Sequence, residues 1–188
     1  YILWQLFTGA TNAAMTTLVD NRMMLIKVKF PMQIFVLARV YTAFVNFLYS
    51  LIAFGLMICV FRITPSWALL FAPVIVFLMV VFALGISYIL TTAYVFFGDV
   101  KHLYSVLLTL WMYMSAIFYP VESLPEFMQS VIGVNPIFNF IDCMRCLVLG
   151  GTLPPLMEIA KITVWALVMY VIGYQVFKRN KNRIMQKI

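Results

Sequence analysis

Charge is what this sequence has least of. Only 10% of its 188 residues are Asp, Glu, Lys or Arg, and 6 are acidic; a soluble domain carries about 25%. Polar surface this sparse cannot cover a globule, so a water-soluble fold is excluded and lipid must act as solvent for much of the chain. There is one His and there are three Cys. No Ser/His pair or convergent carboxylates stand inside the apolar runs, which leaves nothing for intramembrane proteolysis or acyl transfer. Cys143 and Cys146 make a lone Cys-x-x-Cys without a second pair or a nearby His, too little for a tetrahedral metal site. Three cysteines also make no disulfide framework. No Gly-x-x-x-x-Gly-Lys-Ser/Thr phosphate loop occurs, so ATP hydrolysis is not expected in this chain, nor is any cofactor. The centres of the apolar runs hold no ionisable group, which argues against an ion-coupled secondary transporter.

What is present is apolar. The chain is 65% hydrophobic with a mean hydropathy of +1.03. Residues 1–19, 40–61, 63–98, 103–121 and 162–177 carry no charge, and a membrane-spanning helix needs about 17–25 such residues. About five spans are therefore expected in an all-α, polytopic membrane protein. Run 63–98 opens with Thr64-Pro65-Ser66, a turn signal, followed by one long helix near Trp67–Phe97 with a bend expected at Pro73. The last helix is expected to start at Pro155 and reach Phe177, with Glu158 and Lys161 near the interface.

Basic residues orient the spans. Five successive crossings put residues 20–39, 98–102 and 178–188 on one side, with ten Lys and Arg; the other side holds Arg62, Arg145 and Lys161. Ten against three makes the first side cytoplasmic. Clustering between apolar runs also sets the net charge of +7 apart from a nucleic-acid-binding surface; the basic tail Lys178–Lys187 is expected to touch anionic membrane lipid. Tyr1 then lies near the outer face, inside a span already, and with no Met before it the sequence reads as a fragment of a longer chain.

Residues 119–154 fit no span. A polar opening with Pro125 and Glu126 leads into Phe127–Val134, broken at Asn135-Pro136, then Ile137–Leu149, ending at Gly150-Gly151. Apolar runs this short are characteristic of re-entrant or interfacial segments. A helical hairpin dipping into the outer leaflet is expected, with Asp142 and Arg145 on one helical face; an amphipathic loop lying on the headgroups is the alternative.

Four stretches resemble the permease subunits of type-2 ABC exporters, the branch that exports polysaccharide, teichoic acid and O-antigen. They are Asn21-Arg22-Met23-Met24-Leu25-Ile26-Lys27-Val28-Lys29-Phe30-Pro31; Phe82-Ala83-Leu84-Gly85 with Phe97-Gly98-Asp99-Val100, where Gly98 replaces the usual Arg; Met114-Ser115-Ala116-Ile117-Phe118-Tyr119-Pro120, where Ala116 replaces a Pro; and Asn135-Pro136 with Asp142 and Arg145. The resemblance implies a six-span subunit of a bacterial cytoplasmic-membrane exporter. It would work as a homodimer with a separate ABC ATPase that holds the ATP and Mg, moving a lipid-linked polysaccharide. A type-2 permease for drug or lipid efflux is the alternative.

That reading assigns roles. Segments 20–31 and 98–103 would couple to the ATPase, through Asn21, Leu25, Lys27, Lys29, Phe30 and Pro31, and through Gly98, Asp99, Val100 and Lys101. Pro120, Asn135, Pro136, Asp142 and Arg145 would form an outer gate. The 17 Phe, 10 Tyr and 4 Trp suggest stacking on sugar rings along a path of Trp4, Phe7, Tyr41, Phe44, Tyr88, Trp111, Tyr113 and Tyr119. Packing and interface anchoring compete with that role at every one of these positions. Arg39, at the start of a span, is placed to snorkel or to meet lipid-linked phosphate.

Overall fold

The computed structural model describes residues 1–27, 31–61, 66–119, 121 and 124–187, and every described secondary-structure element is helical. Helix α1 covers Ile2–Met15, and a break at Thr16 leads into the short α2 (Thr17–Asp20) and α3 (Arg22–Lys27). Helix α4 is Gln33–Val60; a 3-10 turn, Trp67–Phe71, opens α5 (Ala72–Phe96). Helix α6 is Val100–Met114, α7 is Glu126–Val134, α8 is Pro136–Val148 and α9 is Leu156–Lys187.

Three of these elements are long and apolar enough to cross a bilayer: Gln33–Val60, Trp67–Phe96 and Leu156–Lys187. The other two expected crossings are shorter. α1 has 14 residues and gains length only through α2, while α6 has 15, about 22 Å of rise. α6 is cut short because Ala116 takes a positive φ of 45°, which ends a helix. Pro73 does not bend α5. It falls in the first turn of that helix, where a missing N–H costs nothing. α9 runs ten residues beyond the expected Phe177, and its first turn holds a Lys161–Glu158 ion pair at 2.7 Å. The hairpin is present: α7 and α8 meet at 94° across Asn135.

Helix α5 is the hub, buried against α9 on one side and α1 on the other. Its contact with α9 is made backbone to backbone. A Cβ on Gly85 would stand 2.5 Å from the Met169 carbonyl carbon, and one on Gly173 would collide with the Gly85 carbonyl. Small residues at a crossing are what brings membrane helices this close. Buried positions on α9 recur every eleven residues (Ile162, Gly173, Ile184; Ala166, Phe177), three helical turns, so one straight seam faces the hub.

Buried hydroxyls tie α1 to the hub and to α6. Thr91 donates to the Ala14 carbonyl at 2.9 Å, and Tyr104 donates to Thr11 Oγ1 at 2.8 Å. The ends of the helices agree with the expected topology. Lys187 Nζ donates to the Phe96 carbonyl at 2.9 Å and lies 5.4 Å from its ring centroid, joining two segments assigned to the cytoplasmic side. At the other end Ser66 donates to the Gly151 carbonyl at 2.9 Å, and the Tyr1 and Phe118 rings lie 6.1 Å apart.

Candidate functional site

Three places hold the residues singled out in the sequence. The outer hairpin is the best defined. Asn135 caps α8, its side-chain oxygen accepting from Ile137 N at 3.1 Å and from Trp111 Nε1 at 2.9 Å. Its amide donates to the Met114 carbonyl at 3.1 Å and to Ser115 Oγ at 3.0 Å. One turn past the middle of α8, Arg145 donates to the carbonyls of Ala116 and Ile117 at 2.7 and 3.0 Å. Those carbonyls lie just past the end of α6, in a non-helical stretch, and in lipid such groups must be satisfied internally. Two sequence motifs separated by about twenty residues are therefore one structure: the hairpin supplies the side chains that close the frayed end of α6. Pro136 occupies the first turn of α8, and Asp142 and Arg145 line a cavity of about 600 Å³ with Tyr119, Gln129 and Phe138. Pro120 lies outside the described residues.

At the inner end, Asn21 donates to the Thr17 carbonyl at 2.7 Å and so closes α2. Leu25 is buried while Lys27 and Pro31 are exposed, and Met23, Met24 and Ile26 are exposed apolar side chains beside them. Lys29 and Phe30 lie outside the described residues. Gly98, Asp99 and Lys101 are exposed and Val100 is half-buried; the Asp99 backbone carbonyl accepts from His102 N at 3.0 Å as α6 begins. Among the described residues of the two segments, Lys27, Pro31, Gly98, Asp99 and Lys101 are open to a partner.

The aromatic path fares differently. Trp4, Phe7 and Tyr88 are buried inside the chain. Phe7 stacks on Phe82 and meets Trp111 edge-on at 5.5 Å, while Tyr88 packs among Tyr170, Tyr174 and Phe177. These rings are core packing and present no open surface. Trp111 is half-buried and engaged with Asn135. Tyr41 and Tyr113 are exposed; Phe44 and Tyr119 are half-buried, with the Tyr119 hydroxyl bonded to the Tyr113 carbonyl.

What the aromatic count misses is the outward face of α1. Gln5, Thr8, Gly9, Asn12 and Ala13, with Thr16 just past the end of α1, follow one another at helical spacing; Gln5, Gly9 and Asn12 are exposed and the others half-buried, and Gln5, Gly9 and Ala13 border α4. Ile2, half-buried, is the one large apolar side chain of α1 in the same row. Beside them, α4 presents Arg39, Thr42, Asn46 and Ser50 at intervals of three, four and four residues, and these share a cavity with Gln5, Gly9 and Ala13. On α6 the exposed Ser105, Thr109 and Tyr113 repeat the same spacing. Thr42, Ser50, Ser105 and Thr109 return their protons to the carbonyl three or four residues back. The amides of Gln5, Asn12 and Asn46 have no hydrogen-bond partner among the described residues. Left against hydrocarbon, each would cost about 2 kcal/mol or more, so this face meets water, cargo or another polar surface. The i, i+3/i+4 pattern of polar residues within a charge-free run was readable in the sequence.

Among the described residues no group of three potential metal ligands occurs. Residues 1–149 match the model of the ABC-2 type transporter membrane family. The chain is also similar to the O-antigen export system permease protein RfbA of Myxococcus xanthus, 29% identical over 171 residues, covering 87% of this chain and 66% of that protein. A protein of the same name from Klebsiella pneumoniae is 26% identical over 184 residues, covering 97% of this chain and 71% of the relative. The chain thus spans about two thirds of the length of these relatives.

Proposed function

Given that the chain belongs to the ABC-2 type transporter family, we propose that it is the membrane permease of an ABC exporter that moves a lipid-linked polysaccharide, of the O-antigen kind, across the cytoplasmic membrane of a bacterium. It is a transport permease and not an enzyme; ATP and Mg belong to a separate ABC ATPase. The observation that carries the reading is the polar face of α1 with its flanks on α4 and α6. A glycan needs many weak hydrogen-bond partners and no tight grip, and small hydroxyl and amide side chains at helical spacing supply them. The exposed rings of Tyr41 and Tyr113 add apolar surface for the C–H faces of sugars.

A second copy of the permease is the cover this face calls for, because a groove open to lipid would expose both its own amides and the cargo. Energy enters at the inner end. The exposed Arg22–Lys27 and Gly98–Lys101 segments are the surfaces on which the ATPase pushes. Push at Gly98–Lys101 travels along α6 to Ser115–Ile117, where Asn135 and Arg145 hold the hairpin, so the outer gate is linked to the motor by one 15-residue helix.

The test is purification of the full-length permease with its genetic neighbours. Co-purification of a phosphate-loop ATPase in two-to-two ratio, and ATP-dependent movement of a lipid-linked glycan into proteoliposomes, is the expected result. Export on a proton gradient alone, with no ATPase bound, would replace this reading.

A further inference from the structure

Arg39 is the one charged side chain of α1 and α4 together, and it is exposed. No carboxylate pairs with it among the described residues. Helix α4 is 28 residues long, about 42 Å, against a hydrocarbon thickness of about 30 Å. Arg39 stands six residues from the start of α4, about 9 Å in; with the helix centred on the hydrocarbon, that is the inner boundary with the headgroups. An arginine at that depth is drawn to phosphate, whose oxygens match its planar fork.

Arg39 opens a cavity of about 180 Å³ of mixed lining, which continues outward past Thr42, Asn46 and Ser50 on α4 and Gln5 on α1, with Ile2, Leu6 and Phe47 as its apolar side. The floor is small: Gly9 and Ala13 face Ala43, with Gly9 so open that an added Cβ would meet only the Ala43 methyl, at 3.9 Å. Acyl and polyprenyl chains alike cannot satisfy the free amides of Asn46 and Gln5; a glycan threaded outward along the seam from a diphosphate on Arg39 can. The other exposed side of α4, with Leu37, Leu48 and Ile52, is open to a hydrocarbon tail.

We infer that Arg39 and the polar seam between α1 and α4 form a binding subsite for the phosphate-plus-first-sugar end of a lipid-linked glycan at the inner leaflet, with the diphosphate on Arg39 and the sugar hydroxyls on Asn46 and Gln5. The subsite rests on the exporter reading above and adds to it the place where cargo is first recognised. It makes the chemistry selective twice over: a neutral glycolipid lacks the anion, and a plain anionic phospholipid lacks the hydroxyls.

The experiment uses the full-length permease with its ATPase in phosphatidylcholine nanodiscs. Three probes are titrated: a polyprenyl diphosphate bearing a short glycan, the same diphosphate without sugar, and phosphatidic acid, whose headgroup has the anion and no sugar-like hydroxyls. Arg39→Gln is expected to raise Kd for both diphosphates about tenfold or more, the range of a charge-assisted hydrogen bond, with Arg39→Lys between it and the parent. Asn46→Ala combined with Gln5→Ala is expected to weaken the glycan-bearing probe alone. Unchanged Kd in Arg39→Gln, or displacement of the glycan probe by phosphatidic acid at equal concentration, overturns the subsite and leaves the exporter reading standing. Failure of the parent complex to bind the glycan probe at all overturns both.

Discussion

Helices α1 and α9 flank the same hub and turn opposite kinds of surface outward. On α9 the outward residues are Leu156, Met157, Val164, Leu167, Val168, Val171 and Ile172, all exposed. On α1 and at the break after it the corresponding row is Gln5, Thr8, Gly9, Asn12, Ala13 and Thr16, of which Gln5, Gly9 and Asn12 are exposed. Both helices are apolar on average, so hydropathy alone cannot tell them apart. The side-chain face can: α9 is finished where it meets lipid, whereas α1 awaits water, cargo or a second subunit.

Substitutions at the two glycines test this most severely. Gly85→Leu is expected to abolish folded protein, because the new side chain has only the α9 backbone to enter; loss of a monodisperse peak in detergent would show it. Gly9→Leu is expected to leave that peak in place and to reduce export at least about tenfold, filling the groove without breaking the fold. Equal damage to folding from both would mean that α1 packs as α9 does. Next in size, Asn135→Leu leaves the Trp111 N–H and the Met114 carbonyl without partners and is expected to cost about 2–4 kcal/mol, read as a lower unfolding midpoint with earlier proteolysis in residues 119–135. Asn12→Leu should then halt export with an unchanged unfolding midpoint, while Val168→Asn should cost about 1–2 kcal/mol of stability and leave the transport rate per folded molecule alone. Cysteine placed at Asn12 should react with a water-soluble maleimide, and at Val168 it should not. Smallest of all, Tyr104→Phe removes one buried hydrogen bond to Thr11 and is expected to cost about 1 kcal/mol.

Much of the architecture is legible in the sequence because the bilayer simplifies the problem. Long charge-free runs mark α4, α5 and α9, and the Asn135-Pro136 break marks the corner of the hairpin. Boundaries fail where a local backbone event decides them. The end of α6 depends on the positive φ of Ala116, and the extension of α9 past Phe177 depends on Ile184 and Lys187 reaching the end of α5, neither of which a hydropathy run reports. The buried members of the aromatic path were hidden for a different reason. Counting Phe, Tyr and Trp says nothing of which helix face each occupies: Phe7 points toward the hub and Tyr88, on the hub, packs against α9. Helical spacing sets Arg145 on one face of α8 with Asp142; it does not show that Arg145 also reaches carbonyls nearly thirty residues back, just past the end of α6, because an unwound turn advertises its acceptors only once folded.

The meeting of Gly85 with Gly173 bears on how such a molecule moves. Two helices whose main chains touch have no side-chain layer between them to shear or rearrange, and bulk cannot be introduced gradually. The pair α5–α9 must travel as a single plank. Any widening that lets cargo through has to be found on the opposite edge, where α1 rests on α4 across Gly9 and Ala43 with room to spare.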